Sequence, residues 1–332
     1  MLSRIRRDLA LFALMMLMTV VVSSAAPAKI VKFSAPGAIY MNPNAMNDEG
    51  SIVGDYVDAT GNRGFLRTPD GTVTSIDEPN TQCGTAVAGI THEGAIVGYG
   101  GDSNCLSYGF IRESDGTFTT FSVPGAILTR LSATNSKGVI IGEYSVDGQS
   151  SAAYVRALDG TFQTFAVHGA IETAPIGINK KGEILGYFLD ENIVEHGFVR
   201  NVRGKITKFD VPDAGATYPA AINDSGEICG SYFDYHEGVV DTFRRHVDGT
   251  FETISLSGNT AAKAINDDGT ATGYSTNNGS PFGFIWKSDG TVKILEPKDS
   301  LGVWPAVIDG KGAISGFIEN EDQAYQAFLR TR

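Results

Sequence analysis

Seven times along this chain an Asn, Thr or Asp anchor is followed three residues later by Gly and then by an alternating apolar run. The copies begin at Asn47 ("NDEGSIVGDY"), Thr91 ("THEGAIVGYG"), Asn135 ("NSKGVIIGEY"), Asn179 ("NKKGEILGYF"), Asn223 ("NDSGEICGSY"), Asn266 ("NDDGTATGYS") and Asp309 ("DGKGAISGFI"). Successive anchors lie 44, 44, 44, 44, 43 and 43 residues apart. So regular a period means one supersecondary unit repeated, because each unit buries its apolar face only against its neighbours. It overrides the two-domain expectation that 332 residues would otherwise raise.

Each unit holds four short runs. Small and branched residues precede the anchor, as in Ala220-Ala221-Ile222, and the alternating run follows it. Next comes a segment such as "GFLR" (Gly64 to Arg67), then a hairpin signal such as Asp115-Gly116, then a fourth run such as "TFTTF" (Thr117 to Phe121). Four strands joined by three hairpins in 43–44 residues is the size of a propeller blade. The chain is therefore expected to be all-β from residue 29 to 332: a seven-bladed β-propeller of four-stranded antiparallel blades. The residues two before the anchor are small in six copies (Ala45, Gly89, Ala133, Gly177, Ala221 and Ala264), which suits an innermost strand crowded at the axis.

The ends of the chain are complementary. Repeat seven stops after its third run, Ala327 to Arg330, while "KIVKFSAPGA" (Lys29 to Ala38) at the other end matches "TFTTFSVPGA" (Thr117 to Ala126). The N-terminal strand is thus expected to close the ring as the outer strand of the last blade, leaving no open joint. A β-solenoid would not explain complementary ends.

Together "IN-x-x-G-x-I-x-G-Y", "HGFxR" and "DGTFTTFSVPGA" resemble the bacterial extracellular HAF-repeat proteins over residues 29–332. The resemblance implies export and a propeller, and it implies no reaction and no catalytic residue. Only repeat four keeps the His of "HGF", at His196, so no role needs that His in every blade.

Ahead of the repeats, Arg4, Arg6 and Arg7 precede an uncharged apolar run, Leu9 to Val22, and then "SSAAPA". This is the layout of a secretory signal over residues 1–28, cleaved after Ala25 or Ala28. Removing its three Arg and one Asp leaves 23 basic and 37 acidic side chains, a net charge of −14. Such a surface repels phosphate backbones, so no nucleic-acid partner is expected. Nor is membrane insertion expected once the signal is gone; the product is a secreted or periplasmic protein, expected to be a monomer.

Four candidate sites follow. The anchor turn could bind a cation, but Ser136-Lys137 and Lys180-Lys181 stand where ligands would be needed, so the motif is expected to be an Asn–Gly turn. Asp267-Asp268 is the one copy where a weak ion would fit expectation. Cys83 and Cys105 fall in loops on one face of blade two and are expected to form a disulfide, whereas Cys229 replaces a core aliphatic residue. There is no Gly-x-Ser-x-Gly elbow and no His-Glu-x-x-His helix; no catalytic residue, metal or cofactor is assigned. His196 and His236 lie on same-face loops of blades four and five, as a candidate pair or as solvated loop residues.

The fourth site is the mouth of the channel. Six before the anchor, Thr recurs in five copies, yet one position later the copies diverge: Asn42, Ala86, Arg130, Ala174, Tyr218, Ala261 and Trp304. A position that breaks the repeat is one the blade does not need. With Tyr40 and Glu172 nearby, Asn42, Arg130, Tyr218 and Trp304 form a ring suited to a small polar, glycan or peptide ligand, or alternatively a funnel plug. Two functions follow: a non-catalytic binding or scaffolding propeller with a glycan, peptide or cell-surface partner, or a glycan-active lyase or hydrolase whose site is dispersed over several blades.

Overall fold

The computed structural model describes residues 28–277, 280–321 and 325–331. The expected export segment lies outside the described residues apart from Ala28. Each repeat folds as one four-stranded antiparallel sheet, and the seven sheets follow one another around a ring. Blade 1, for example, is Tyr40–Met46, Ile52–Asp58, Gly61–Arg67 and Val73–Ile76, with its first strand touching the first strands of blades 2 and 7. Blade 7 takes its outer strand, Lys29–Phe33, from the far end of the chain, with Phe33 opposite Ala327 and Lys29 opposite Thr331. The ring is therefore closed as its complementary ends predict.

The anchor is a turn, and it is also more than a turn. The Oδ1 of Asn223 accepts the Glu227 N–H at 2.9 Å, and Gly226 takes φ +101°. The Nδ2 of the same residue donates to the Asn266 carbonyl of the next blade at 2.9 Å. Asn47, Asn135, Asn179 and Asn266 make the same bond to the following anchor, at 3.2, 3.1, 3.1 and 3.3 Å. All five are buried, so each side chain closes its own hairpin while tying two blades together. Asp267, the suspected ion ligand, instead accepts the Asp224 N–H at 2.8 Å across a blade boundary.

Every inner strand carries a bulge three residues before the anchor, for example between Pro43 and Ala45 and between Pro305 and Val307. Proline at that point in four blades fits a position where the ladder is already broken. The bulge pushes the inner-strand carbonyl toward the second strand, and a glycine there makes room: a Cβ on Gly142 would lie 2.0 Å from the Arg130 carbonyl oxygen. One aromatic ring per blade then fills the core from the third strand. Phe65, Phe110, Tyr154, Phe198, Phe243, Phe284 and Phe328 are all fully buried.

A second stitch joins the blades further out. Arg67, Arg156, Arg200 and Arg245 lay their guanidinium groups over Phe33, Phe121, Phe165 and Phe209 of the preceding blade, 4.7–5.1 Å from the ring centres. Cys83 and Cys105 are joined as expected, with Cα atoms 5.4 Å apart. Cys229 is a buried thiol whose pKa is pushed up to about 12 by that burial.

Candidate functional site

The two ends of the channel differ. At one end lie the anchor turns; at the other lie the loops that lead into each inner strand and those joining second and third strands, here called the loop face. The recurrent Thr builds the loop face: the buried Oγ1 of Thr129, Thr173 and Thr217 each accepts a loop N–H six residues earlier at 3.0 Å. With the loops so pinned, the next residue is free to vary.

Strand pairing doubles this variable ring. Opposite Asn42, Ala86, Arg130, Ala174, Tyr218, Ala261 and Trp304 stand Asp55, Tyr99, Glu143, Tyr187, Ser231, Tyr274 and Phe317 on the second strands. This second set diverges as widely as the first. It was open to the same comparison of copies, since each member follows the second-strand Gly directly. The bulge residues add a third set on the same side: Asn44 donates to Asp55 at 2.8 Å, and the Lys263 ammonium lies 5.6 Å from the Tyr274 ring centre.

The predicted residues fall into separate groups. Trp304 stacks on Phe317, with ring centres 4.9 Å apart and planes 17° apart. Tyr40, from the neighbouring blade, packs edge-on to Phe317 at 5.2 Å and meets Tyr325 at 5.7 Å. These four half-buried rings form an aromatic wall where blades 7 and 1 meet. Arg130, Glu172 and Tyr218 belong to blades 3, 4 and 5, opposite that wall in a seven-membered ring. The Arg130 Nε donates to Ser107 at 3.3 Å, and Glu172 accepts the Tyr187 hydroxyl at 3.1 Å.

Glu143 and Glu195 complete this second group. Burial and the nearby Glu172 charge raise the Glu143 pKa, partly offset by Arg130. The same two causes push Glu195 up to about 7, and Glu195 in turn adds to the burial that raises Tyr218. Asn42 keeps to its own blade, donating to Asn44 at 2.8 Å.

The histidines do not join either group. His196 is held by Asp210 at 2.9 Å and stacks on Phe188 at 4.9 Å, away from the mouth on the third strand. His236 is exposed in a turn, its backbone N–H bonded to Asp234 at 2.7 Å. The opposite end of the channel holds a cavity of about 600 Å³ that reaches the bulge residues Asn44 and Ser132 but none of the paired variable residues above them. Its walls are the anchors, an apolar collar including Ile90, Ile178, Ile222, Ile265 and Ile308, and the turn residues Asp48, His92 and Lys180.

The buried carboxyls make stability depend on pH. Burial pushes Asp55 up to about 6 despite hydrogen bonds from Val87 and Asn44. A carboxyl raised in the folded state binds protons more tightly there than in the unfolded chain. Its relative stabilisation is present below the ordinary carboxylate pKa and is lost as pH rises through the raised one. Below that window the exposed turn aspartates act oppositely: Asp147 is lowered to about 2 by backbone and side-chain hydrogen bonds, so its contribution is lost only in strong acid. The denaturation midpoint is therefore expected to be higher at pH 5 than at pH 7.5, by about 1–2 kcal/mol from Asp55 alone. Asp55→Asn should shrink that difference; a midpoint that rises toward pH 7.5 would contradict the assignment.

No family model and no curated protein matches the chain. Solved structures similar to it are propellers at low identity. A catalytically inactive virginiamycin B lyase from Staphylococcus aureus is 14% identical over 92% of this chain and 100% of its own, with a TM-score of 0.62. A streptogramin B lyase is 12% identical over 92% and 98%, with a TM-score of 0.58. A puromycin hydrolase variant is 12% identical over 90% of this chain and 54% of its own, with a TM-score of 0.63. At such identities the likeness is one of fold.

Proposed function

We propose that this is an exported, non-catalytic binding propeller of the HAF-repeat type that takes a small polar ligand, such as a glycan, at the loop-face mouth of its channel. The observation that carries this is the aromatic wall of Trp304, Phe317, Tyr40 and Tyr325, set across the mouth from the hydrogen-bonding group around Arg130, Glu172 and Tyr218. A half-buried, ring-lined face opposite convergent polar groups is how small ligands are held and oriented. The repeat itself does not require these residues, since other blades carry Ala at the position of Trp304. The Cys83–Cys105 bond is consistent with an oxidising compartment.

A glycan array probed with the mature chain tests this. Trp304→Ala should weaken any hit at least tenfold, by about 1.4 kcal/mol or more, and Tyr218→Ala should weaken it as well. Hits left unchanged by both substitutions would remove the mouth from the site.

One observation favours a second reading, a glycan-active lyase or hydrolase: Glu195 is pushed up to about 7 beside Glu172, as a general acid near neutrality requires. Turnover of an array hit, abolished in Glu195→Gln with binding retained, would decide for that reading. The lyases and hydrolase of similar fold lend their architecture and not their reactions.

A further inference from the structure

The loop face carries most of the exposed apolar surface of the molecule. Of the thirteen large apolar side chains exposed among the described residues, nine stand on this face. Five belong to the consecutive blades 3, 4 and 5: Ile127, Val146, Ile171, Ile193 and Tyr235, exposed by 42, 57, 55, 72 and 69%. They stand in the loops of three adjacent blades. Ile127 lies beside Gly148 of the Val146 loop, and the Ile171 N–H is bonded to Leu189 at the base of the hairpin that carries Ile193.

Ile193 is the clearest member. It is the most exposed large apolar side chain among the described residues and a β-branched residue held at φ +64°. In the same loop, blades 1, 3 and 5 use Gly61, Gly148 and Gly238 at positive φ, and blade 2 uses Cys105 of the disulfide. The hairpin of blade 4 therefore has no need of an isoleucine; glycine would relieve the backbone and cost no packing. Exposed apolar side chains gathered on the loops of three adjacent blades mark an interaction surface.

Charge identifies what covers it. Besides Glu172 and Glu195 of the mouth, the loops at 145–151, 166–172, 189–196, 210–215 and 234–238 carry seven carboxylates and no Lys or Arg of their own. One ammonium reaches these loops, Lys208, which bonds the His168 carbonyl and lies over the Phe188 ring at 4.5 Å, and Arg130 stands opposite Glu143 at the mouth, so the loops keep a net negative charge. Aliphatic tips within a field of carboxylates repel anionic lipid and nucleic acid and attract a basic chain with apolar side chains of its own.

We propose that the loop face of blades 3–5 docks a basic polypeptide segment, with Ile193 and Ile171 as its apolar anchors. This surface is independent of the ligand site at the mouth. The test is calorimetric titration of the mature protein with a synthetic Lys/Leu peptide, a Lys/Ser peptide of equal length and charge, and vesicles containing anionic lipid. The Lys/Leu peptide should bind, and more weakly as salt rises. Ile193→Gly and Ile171→Ser should each weaken it at least fivefold, whereas Val202→Ser on the opposite face and Trp304→Ala at the mouth should not.

Because Ile193→Gly removes a strained φ, its denaturation midpoint should equal or exceed that of the parent, so lost binding cannot come from lost folding. Equal affinity for the Lys/Ser peptide, unchanged binding by Ile193→Gly, or preference for the vesicles would each overturn the proposal.

Discussion

Gly142→Ala is expected to destabilise the protein by more than about 3 kcal/mol, at the severe end for a single methyl group. The added Cβ would sit 2.0 Å from the Arg130 carbonyl oxygen and 2.9 Å from the Tyr154 ring. Neither neighbour has room to move. The carbonyl is fixed by the bulge between Leu131 and Ala133, and Tyr154 is fully buried. Gly177→Ala supplies the matched control. Its Cβ would meet nothing closer than Ile222 at 3.6 Å, its φ is not left-handed, and four other blades already hold Ala there. That change should be neutral or stabilise by up to about 1 kcal/mol, through a less flexible unfolded chain. Denaturant titrations of the two variants at unchanged slope measure both. A Gly142→Ala midpoint within about 0.5 kcal/mol of the parent would mean that the bulge does not constrain the second strand as described.

These two glycines also show where the sequence is legible. Both lie in the repeat, and comparing copies separates them: position 177 alternates with Ala, whereas position 142 is Gly in all seven units. What the comparison does not disclose is the cause, because the clash comes from a bulge formed by a different strand. The same limit applies to the anchor. Asn223 followed by Gly226 is readable as a turn from local chemistry, but the bond to the Asn266 carbonyl depends on how two blades sit together. Blade number, ring closure and the disulfide were readable because each follows from period, matching ends or loop placement. The mouth was half readable. Arg130, Tyr218 and Trp304 stand out by divergence, and Glu143 and Phe317 diverge just as visibly behind the second-strand Gly, but that they face Arg130 and Trp304 is set by strand register.

The anchor end and the loop end divide the labour of the fold. At the anchor end, side chains bond the backbone of the neighbouring blade, as when the Asp267 carboxylate accepts the Asp224 N–H and the Asn179 amide donates to the Asn223 carbonyl. At the loop end the recurrent Thr pins each loop from beneath, and the positions above it vary without cost to the ring. The variable positions thus gather at the loop face, although a cavity of about 600 Å³ opens at the other end.

Removing the closing strand should have the largest global effect. A chain that begins at Ala38 lacks Lys29–Phe33 and leaves Tyr325–Thr331 as an unpaired edge. It also takes Phe33 from a buried cluster with Phe65, Met41 and Ala327, and from beneath the Arg67 guanidinium. Truncating a buried Phe alone costs about 3–5 kcal/mol, and the lost ladder and the exposed edge add to it. The thermal midpoint of the shortened chain is thus expected to fall by more than about 10 °C, with aggregation above that midpoint. Because the missing piece is an outer strand and not a core blade, a peptide spanning Lys29 to Gly37 should bind in trans and restore the midpoint as its concentration rises. Phe33→Asp in that peptide should abolish the rescue. A shortened chain that melts within about 3 °C of the parent would show that six blades and a three-stranded seventh hold the ring without closure.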